Sequence, residues 1–419
     1  MDRVIFHIDI NHCYAQIEEM LYPELRNVAM AVGGHEETRH GIILTKNDIA
    51  KKYGVKTAES LREAKAKCPH LLIIPPHYDE YIYYTNKVKE IYYEYSDHVE
   101  SFGLDEAWID YTDSMSLFGD PINIAKEIQQ RVYEEIGLST SVGISWNKTF
   151  AKLGSDMHKP FGFTHITKEN YQQLVWPLPV SDLLYVGPAT TKKLYARGIL
   201  TIGDLAQYDP DYLQKAMGVA GRMIHAFANG EDPSVVEETG WNPTIKSCGN
   251  SMTMVHDVSS LEELKPVCYM LCESVASRLK EAGMEGNKIS VTMRTSGLNW
   301  FGWEHTYDNK TNVSSEILHY MMLEMEKYDF ELPLRSIGVS VGNLSFTSFY
   351  QASLFLDAED HEKDRNIDIA MDKIRDKFGF YAIRRACTLI DRPLTEFNVK
   401  DEHEGFHPVG YFRGRKMTI

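Results

Sequence analysis

Asp9, Asp105 and Glu106 are the residues of this 419-residue chain whose types and settings could do chemistry. Asp9 ends an apolar run over residues 4–10, free of Gly and Pro, that reads as a core strand, where a carboxylate is out of place. Asp105 and Glu106 are adjacent. The apolar segments 99–102 and 106–111 flank Gly103-Leu104-Asp105, the pattern of a β-hairpin with Gly103 supplying the tight turn. On a regular strand neighbouring side chains face opposite ways, but at the lip of a turn both can reach one site. If the hairpin pairs beside the first strand, the three carboxylates converge. They would then repel, and raise one another's pKa, unless cations neutralise them. Two Mg²⁺ ions about 3.5–4 Å apart do this, and form the clamp used for in-line phosphoryl or nucleotidyl transfer. Carboxylate and carbonyl oxygens are the hard ligands that Mg²⁺ prefers.

The segment after Asp9 adds a second element. Asn11 reads as the cap of a short helix with Tyr14, Ile17 and Met20 at helical spacing. A strand that turns into a helix start leaves backbone N–H groups aimed at an anion, which fits phosphate chemistry. Taken alone, the stretch reads equally as an ordinary β-α junction with an exposed Asp.

Further elements must position these residues. Strands at 28–32, 41–45 and 71–74 alternate with helices at 47–53 and 60–68. A tyrosine-rich helix over 78–96 precedes the hairpin; a helix over 122–136, a strand over 139–145 and a helix over 147–158 follow it. Strands and helices alternating in this way build a mixed sheet. Residues 168–238 read as helical, and contain Gly187, Ala189, Lys192 and Lys193 in the pattern of a helix-hairpin-helix, whose outward amides hold a DNA phosphate; a plain helix connection has the same outline. A linker-like stretch over 238–247 leads to strands at 251–254, 288–294, 300–307 and 334–346 and helices at 261–281 and 314–328, a separate α+β domain. A helix over 366–378, read as packing, follows an acidic run, and the tail from 396 has little periodicity.

Composition sets the bounds. The length implies about three domains. Hydrophobic residues make up 43% and charged residues 25% of the chain, ordinary for globular proteins. No apolar run is long enough to span a membrane, and the first residues lack the pattern of a signal peptide. Six scattered cysteines, none in a CxxC pair, read as reduced thiols of a cytoplasmic protein without a zinc site. A net charge of −16 argues against a protein that coats DNA electrostatically. A local grip on nucleic acid remains compatible with it, provided the grip is weak or assisted by a tether.

The motifs resemble those of Y-family (DinB/UmuC-like) translesion DNA polymerases. Residues 9–18, from Asp9-Ile10-Asn11-His12-Cys13-Tyr14 to Glu18, are similar to the first motif of that family, and Gly103-Leu104-Asp105-Glu106-Ala107 to the second. Val142-Gly143-Ile144-Ser145 with Lys148, Phe150, Lys152, Ser155-Asp156-Met157, Lys159-Pro160 and Gly162 resembles the third. The resemblance spans residues 3–355 in family order. It implies an α+β right-hand polymerase: a ferredoxin-like palm (1–10 and 75–167), small fingers (11–74), a helix-hairpin-helix thumb (168–238), an α+β little finger (246–350), and a clamp-binding peptide and tail (351–419). It implies Asp9, Asp105, Glu106 and the Ile10 carbonyl as ligands of two Mg²⁺, with Mn²⁺ able to substitute. Asn11, His12 and Cys13, through backbone amides, and Thr45, Lys51 and Lys159 would hold the triphosphate of a dNTP. Tyr14 would be the steric gate that leaves no room for a 2′-hydroxyl. Primer-template DNA would be the partner of a monomeric enzyme, gripped in part at Gly187, Ala189, Lys192 and Lys193. Small fingers imply a roomy pocket, low fidelity and lesion bypass.

Four residues depart from the family pattern. Where the family pattern is T-x-N-Y-x-A-R, this chain reads Thr45-Lys46-Asn47-Asp48-Ile49-Ala50-Lys51. Lys51 turns a bidentate contact into a point charge, and Asp48 puts a carboxylate near the phosphates, so a raised KM for dNTP is expected. Asn11 replaces a usual Asp, and Leu44 is bulkier than the usual residue. Gln351, Leu354 and Phe355 resemble the QLxLF peptide that docks bacterial polymerases on the sliding clamp, a tether that would offset the acidic surface. A palm-type nucleotide cyclase and a catalytically decayed DNA- and clamp-binding accessory protein are the rival readings. The first would need neither thumb nor little finger, and the intact carboxylates speak against the second.

Overall fold

The computed structural model describes residues 2–34, 41–241, 244–347 and 358–396. The apolar run near the start forms strand β1 (Ile5–Ile10), buried at every residue, and turns into helix α1 (Cys13–Leu21). Strands β2 (Met30–Gly33) and β3 (Ile43–Lys46), helices α2 (Asp48–Lys52) and α3 (Leu61–Lys67) and strand β4 (Leu72–Ile74) follow. They form a small sheet in the order β3-β2-β4, packed through Ala31, Ile43, Ala50, Leu61 and Ala64. The Asn47 side chain accepts from the Ala50 N–H and so starts α2, while Ser60 and Glu63 close a capping box on α3.

Helix α4 (Tyr78–Tyr93) leads into the hairpin strands β5 (Val99–Phe102) and β6 (Glu106–Asp110). Short helix α5 (Met115–Phe118), helix α6 (Pro121–Ile136), strand β7 (Thr140–Ser145), helix α7 (Lys148–Met157) and strand β8 (Phe163–His165) come next. The sheet order is β5-β6-β1-β7-β8. β1 lies at the centre, antiparallel to β6 on one side and to β7 on the other. This explains why every residue of β1 is buried, His7 and Asp9 included, since a central strand is covered on both faces. α7 packs on β1 and β7 and comes unusually close at Gly143. A Cβ there would lie 2.0 Å from the Ala151 carbonyl oxygen and 2.5 Å from the Ser155 nitrogen, so only glycine permits the approach.

Helices α8 (Tyr171–Leu174), α9 (Pro188–Tyr195), α10 (Ile202–Gln207), α11 (Pro210–Met217) and α12 (Val219–Ala228) enclose Leu183, Leu194, Leu205, Leu213 and Ile224. All these elements belong to one compact unit; a second begins after Asn242, inside the stretch expected to be a linker. It comprises β9 (Ser247–Val258), α13 (Leu261–Glu281), β10 (Met284–Thr295), β11 (Trp300–Thr311), α14 (Ser314–Met325), β12 (Leu334–Gly342), β13 (Ser345–Phe346), α15 (Ala358–Phe378) and α16 (Arg392–Thr395). Its antiparallel sheet runs β11-β10-β12-β9, with a core that includes Met254, Leu264, Leu271, Val291 and Ile337.

Several boundaries correct the sequence expectations. β9, β10 and β11 run well past the expected segments, because the ladder carries polar residues along with apolar ones. The strand expected over 334–346 breaks at Asn343, where φ is 52°. α15 starts eight residues before the expected 366, since the acidic run belongs to the helix's first turns, where its dipole favours negative charge. α15 does pack, as expected. Asp368 accepts from the Ser314 N–H at 2.7 Å, and Arg375 donates to Glu273 at 2.9 Å. Gln351, Leu354 and Phe355 lie outside the described residues. No helix among the described residues is long and apolar enough to cross a membrane.

Candidate active site

Strand pairing brings the three acidic residues to the lining of one cavity. Asp9 on β1 stands opposite Glu106 on β6, and the Ile10 N–H donates to the Asp105 carbonyl at 3.0 Å. Gly103 makes the turn at φ 83°, as the sequence suggested. Asp9, Asp105 and Glu106 line a cavity of about 410 Å³, together with the β1–α1 turn, Thr45, Lys51 and Lys159.

Two lysines already stand on these carboxylates. Lys159 Nζ donates to Asp9 Oδ2 at 2.7 Å. Lys152 Nζ lies 2.7 Å from Glu106 Oε2 and 3.5 Å from Asp9 Oδ2. Even so, burial and then the charge of Glu106 push Asp9 up to about 7, and the same two causes raise Asp105. Burial acts on Glu106 too, but His7 and Lys152 outweigh it and bring the carboxyl down to about 2. His7 is itself fully buried, and burial drives it to about 4, so its ring is neutral at pH 7.

As they stand, no three His, Cys, Asp or Glu side chains among the described residues are gathered to hold a metal ion. Lys152 and Lys159 occupy the positions from which a cation would neutralise Asp9 and Glu106. The donor set nonetheless fits a hard divalent cation. It is all oxygen, it sits in a cavity, and burial beside the charge of Glu106 pushes Asp9 toward protonation.

The β1–α1 turn corrects one expectation. Asn11 is not the cap of α1. Its side chain is drawn into a buried network, donating to Ser139 Oγ at 3.0 Å and accepting from Ser141 Oγ at 2.8 Å. His12 takes the cap position at φ 35°, without a side-chain bond to the helix. The first N–H groups of α1 are therefore left for an anion from the cavity. Tyr14 follows on the same turn. Its ring stacks on Tyr81 at 4.4 Å and 7°, and meets Tyr78 edge-on at 6.0 Å. The Tyr81 hydroxyl donates to buried Glu18, which also bonds His77 Nδ1 at 2.8 Å.

Thr45, Lys46, Asp48 and Lys51 line the cavity from β3 and α2, so the acidic departure at Asp48 shares the space of the basic residues. Gly187, Ala189, Lys192 and Lys193 are exposed on α9, away from the cavity lining. Gly187 precedes the helix, and the two lysines lie in its last turn.

Lys152, His7 and Lys89 are functional candidates that residue types alone did not single out. His7 is two residues before Asp9, so period-2 alternation puts both on one face, a signal present in the sequence. Lys89 is buried on α4, with Nζ 3.4 Å from the Gly103 carbonyl.

Comparison with known proteins shows the family and the fold of the chain. Residues 8–156 match the model of the impB/mucB/samB family, and residues 245–354 that of the same family's C-terminal domain. The DNA polymerase IV of Acetivibrio thermocellus is 41% identical over 396 residues, covering 94% of this chain and 99% of that one. DNA polymerase IV 1 of Bacillus subtilis is 36% identical, covering 92% of this chain and 93% of its own length. Among solved structures, the Y-family DNA polymerase chimera Dbh-Dpo4(243-245)-Dbh superposes with a TM-score of 0.71 at 21% identity, over 82% of this chain and all of that one.

Proposed function

This chain belongs to the impB/mucB/samB family of Y-family polymerases and is a DNA-directed DNA polymerase of translesion synthesis, and on that premise we propose a role for each residue of the cavity. Its substrates are DNA and nucleotides, and its family uses divalent metal ions. In the proposed reaction the primer 3′-oxygen bonds the α-phosphorus of a dNTP as the bond to pyrophosphate breaks, and the hydroxyl proton leaves to solvent.

Asp9, Asp105, Glu106 and the Ile10 carbonyl hold two Mg²⁺, or Mn²⁺ in their place. When bound, the ions supply charge stabilisation for the attacking and departing oxygens. The amides at His12 and Cys13, the turn held by Asn11, and Thr45, Lys51 and Lys159 receive the triphosphate. Lys159 exchanges its bond to Asp9 for one to phosphate as nucleotide enters. Tyr14, braced by Tyr81, lies beneath the sugar and excludes a 2′-hydroxyl. Gly187, Ala189, Lys192 and Lys193 hold a DNA phosphate at the thumb.

The palm comprises 1–10 and 75–167, the fingers 11–74, the thumb 168–238 and the little finger 246–350. Gln351, Leu354 and Phe355, in the segment 351–419, dock on the sliding clamp of a monomeric, cytoplasmic enzyme. Deletion of 351–355 then abolishes stimulation by the clamp while leaving unassisted synthesis in place. The observation that carries the reading is the register that sets Asp9 opposite Glu106 beside the Asp105 carbonyl bond. Mn²⁺ titration of the enzyme–DNA–dNTP complex tests it: two ions are expected for the wild type and a deficit for Asp9→Ala, and equal stoichiometry in both contradicts it.

A further inference from the structure

His7 lies beneath Glu106, and its side chain has no solvent exposure. Nε2 is 3.2 Å from Glu106 Oε2, and Nδ1 is 2.8 Å from Ser155 Oγ. On the sheet His7 is paired with Trp108 on one side and Gly143 on the other. The Trp108 ring stands edge-on to the imidazole at 5.3 Å. The close approach of α7 over Gly143 is what brings Ser155 to the imidazole.

Counting protons fixes the orientation of this chain of groups. A neutral imidazole carries one N–H and one lone pair. The Ser155 hydroxyl has one proton and two acceptors in reach, His7 Nδ1 and the Lys152 carbonyl at 2.8 Å. If the proton goes to Lys152, Nδ1 must carry the ring hydrogen, and Nε2 turns a lone pair on a buried carboxylate. Two acceptors then face each other away from water, which costs the desolvation of both. If the proton goes to His7, Nε2 sets a hydrogen rather than a lone pair toward the Glu106 oxygen 3.2 Å away, a contact short of full hydrogen-bond alignment that nonetheless avoids opposing two acceptors. The Lys152 carbonyl loses little, because it lies inside α7 and takes part in that helix's ladder.

We infer that His7 is a positioning residue of this polymerase: its Nε2–H donates to Glu106, Ser155 fixes the tautomer from behind, and Glu106 is thereby held in its ligating orientation. The inference rests on the reading of Glu106 as a metal ligand. It goes beyond that reading by assigning a support that acts through Glu106 and touches neither metal nor substrate.

Three full-length variants separate positioning from packing. His7→Gln places an amide nitrogen where Nε2 stood, His7→Asn one where Nδ1 stood, and His7→Leu neither. Mn²⁺ binding followed by electron paramagnetic resonance is the readout, with thermal melting as the check on folding. Loss of the partner of a ligating group weakens metal binding by about tenfold or more in H7L and H7N, whereas H7Q stays within about threefold of wild type. Ring ¹⁵N spectra of the metal-free enzyme show His7 as the Nε2–H tautomer. Unchanged Mn²⁺ binding in H7L, rescue by H7N in place of H7Q, or an Nδ1–H ring overturns the inference. Should H7L fail to fold, the H7Q and H7N comparison decides. Glu106→Gln runs alongside: Mn²⁺ binding that survives in E106Q refutes Glu106 as a ligand, whereas loss in E106Q beside normal binding in H7L refutes only the role of His7.

Discussion

Lys159 Nζ rests 2.7 Å from Asp9 Oδ2, an ammonium group in the position a metal ion or a phosphate would contest. The same lysine reaches Asp156 at 2.7 Å, and so has a second anchor when Asp9 is taken. The acidic residues are thus held by the chain's own cations, and Asp9 is nonetheless under electrostatic strain. Asp9 is raised from 3.8 to about 7 by burial and by Glu106, in spite of the two lysines.

That strain gives a pH signature. Because the folded-state value of Asp9 lies above its unfolded one, its contribution to stability is complete below about pH 4 and is lost as pH rises through 7. Glu106 has the opposite sign: brought from 4.5 to about 2, it contributes above pH 4.5, and that contribution is lost as pH falls toward 2. In thermal melts with chelator, Asp9→Asn raises the midpoint at pH 8 by roughly 5 °C, and the gain vanishes near pH 4. A midpoint that does not change at pH 8 contradicts the electrostatic account.

Asp48 shares the cavity with Lys46 and Lys51. It is exposed, so its effect on a triphosphate is screened and modest. Asp48→Tyr lowers the KM for dNTP by about two- to fivefold with kcat little changed, the size of one exposed charge interaction. Steady-state single-nucleotide incorporation checks this, and a KM that stays put removes Asp48 from the phosphate end of the site.

The stacked pair Tyr14 and Tyr81 makes a rigid floor. Tyr14→Ala opens space for a 2′-hydroxyl and raises the kcat/KM ratio of ribonucleotide to deoxynucleotide by about ten- to a hundredfold, the range available to steric exclusion in an apolar pocket. A ratio equal to that of the wild type assigns the gate elsewhere.

In the second unit, buried Glu273 accepts from both Arg375 and Arg385, which joins α15 and the segment after it to α13. Glu273→Ala leaves two guanidinium groups without their carboxylate and costs about 3–5 kcal/mol in urea unfolding of the full chain. A loss under about 1 kcal/mol would make this an ordinary surface contact.

The hairpin and the first strand were legible in the sequence because their signals are local. Gly103 marks the turn, apolar runs mark the strands, and a carboxylate at a strand end stands out. The convergence of Asp9, Asp105 and Glu106 followed from those signals once the pairing was assumed. Asn11 departs from the capping role its type suggests because that preference is weaker than the tertiary network offered by Ser139 and Ser141, more than a hundred residues away. Lys152 and Ser155 sit on a helix whose approach depends on Gly143, and nothing local to either residue reveals that contact. The start of α15 is hidden in the sequence for another reason: acidic residues that read as solvated chain are anchored by partners such as Ser315, which donates to Asp364 at 2.5 Å.

The most direct test of the central claim is primer extension by Asp105→Ala beside wild type, at saturating dNTP and Mg²⁺, with primer-template affinity measured on the same preparations. Asp105 reaches the site through the bond between its own carbonyl and the Ile10 N–H, which the substitution leaves in place. Loss of several kcal/mol of charge stabilisation lowers the extension rate by about a thousandfold while DNA binding holds. Extension that survives within about tenfold, with DNA bound normally, contradicts the assignment of these carboxylates as the metal-binding centre.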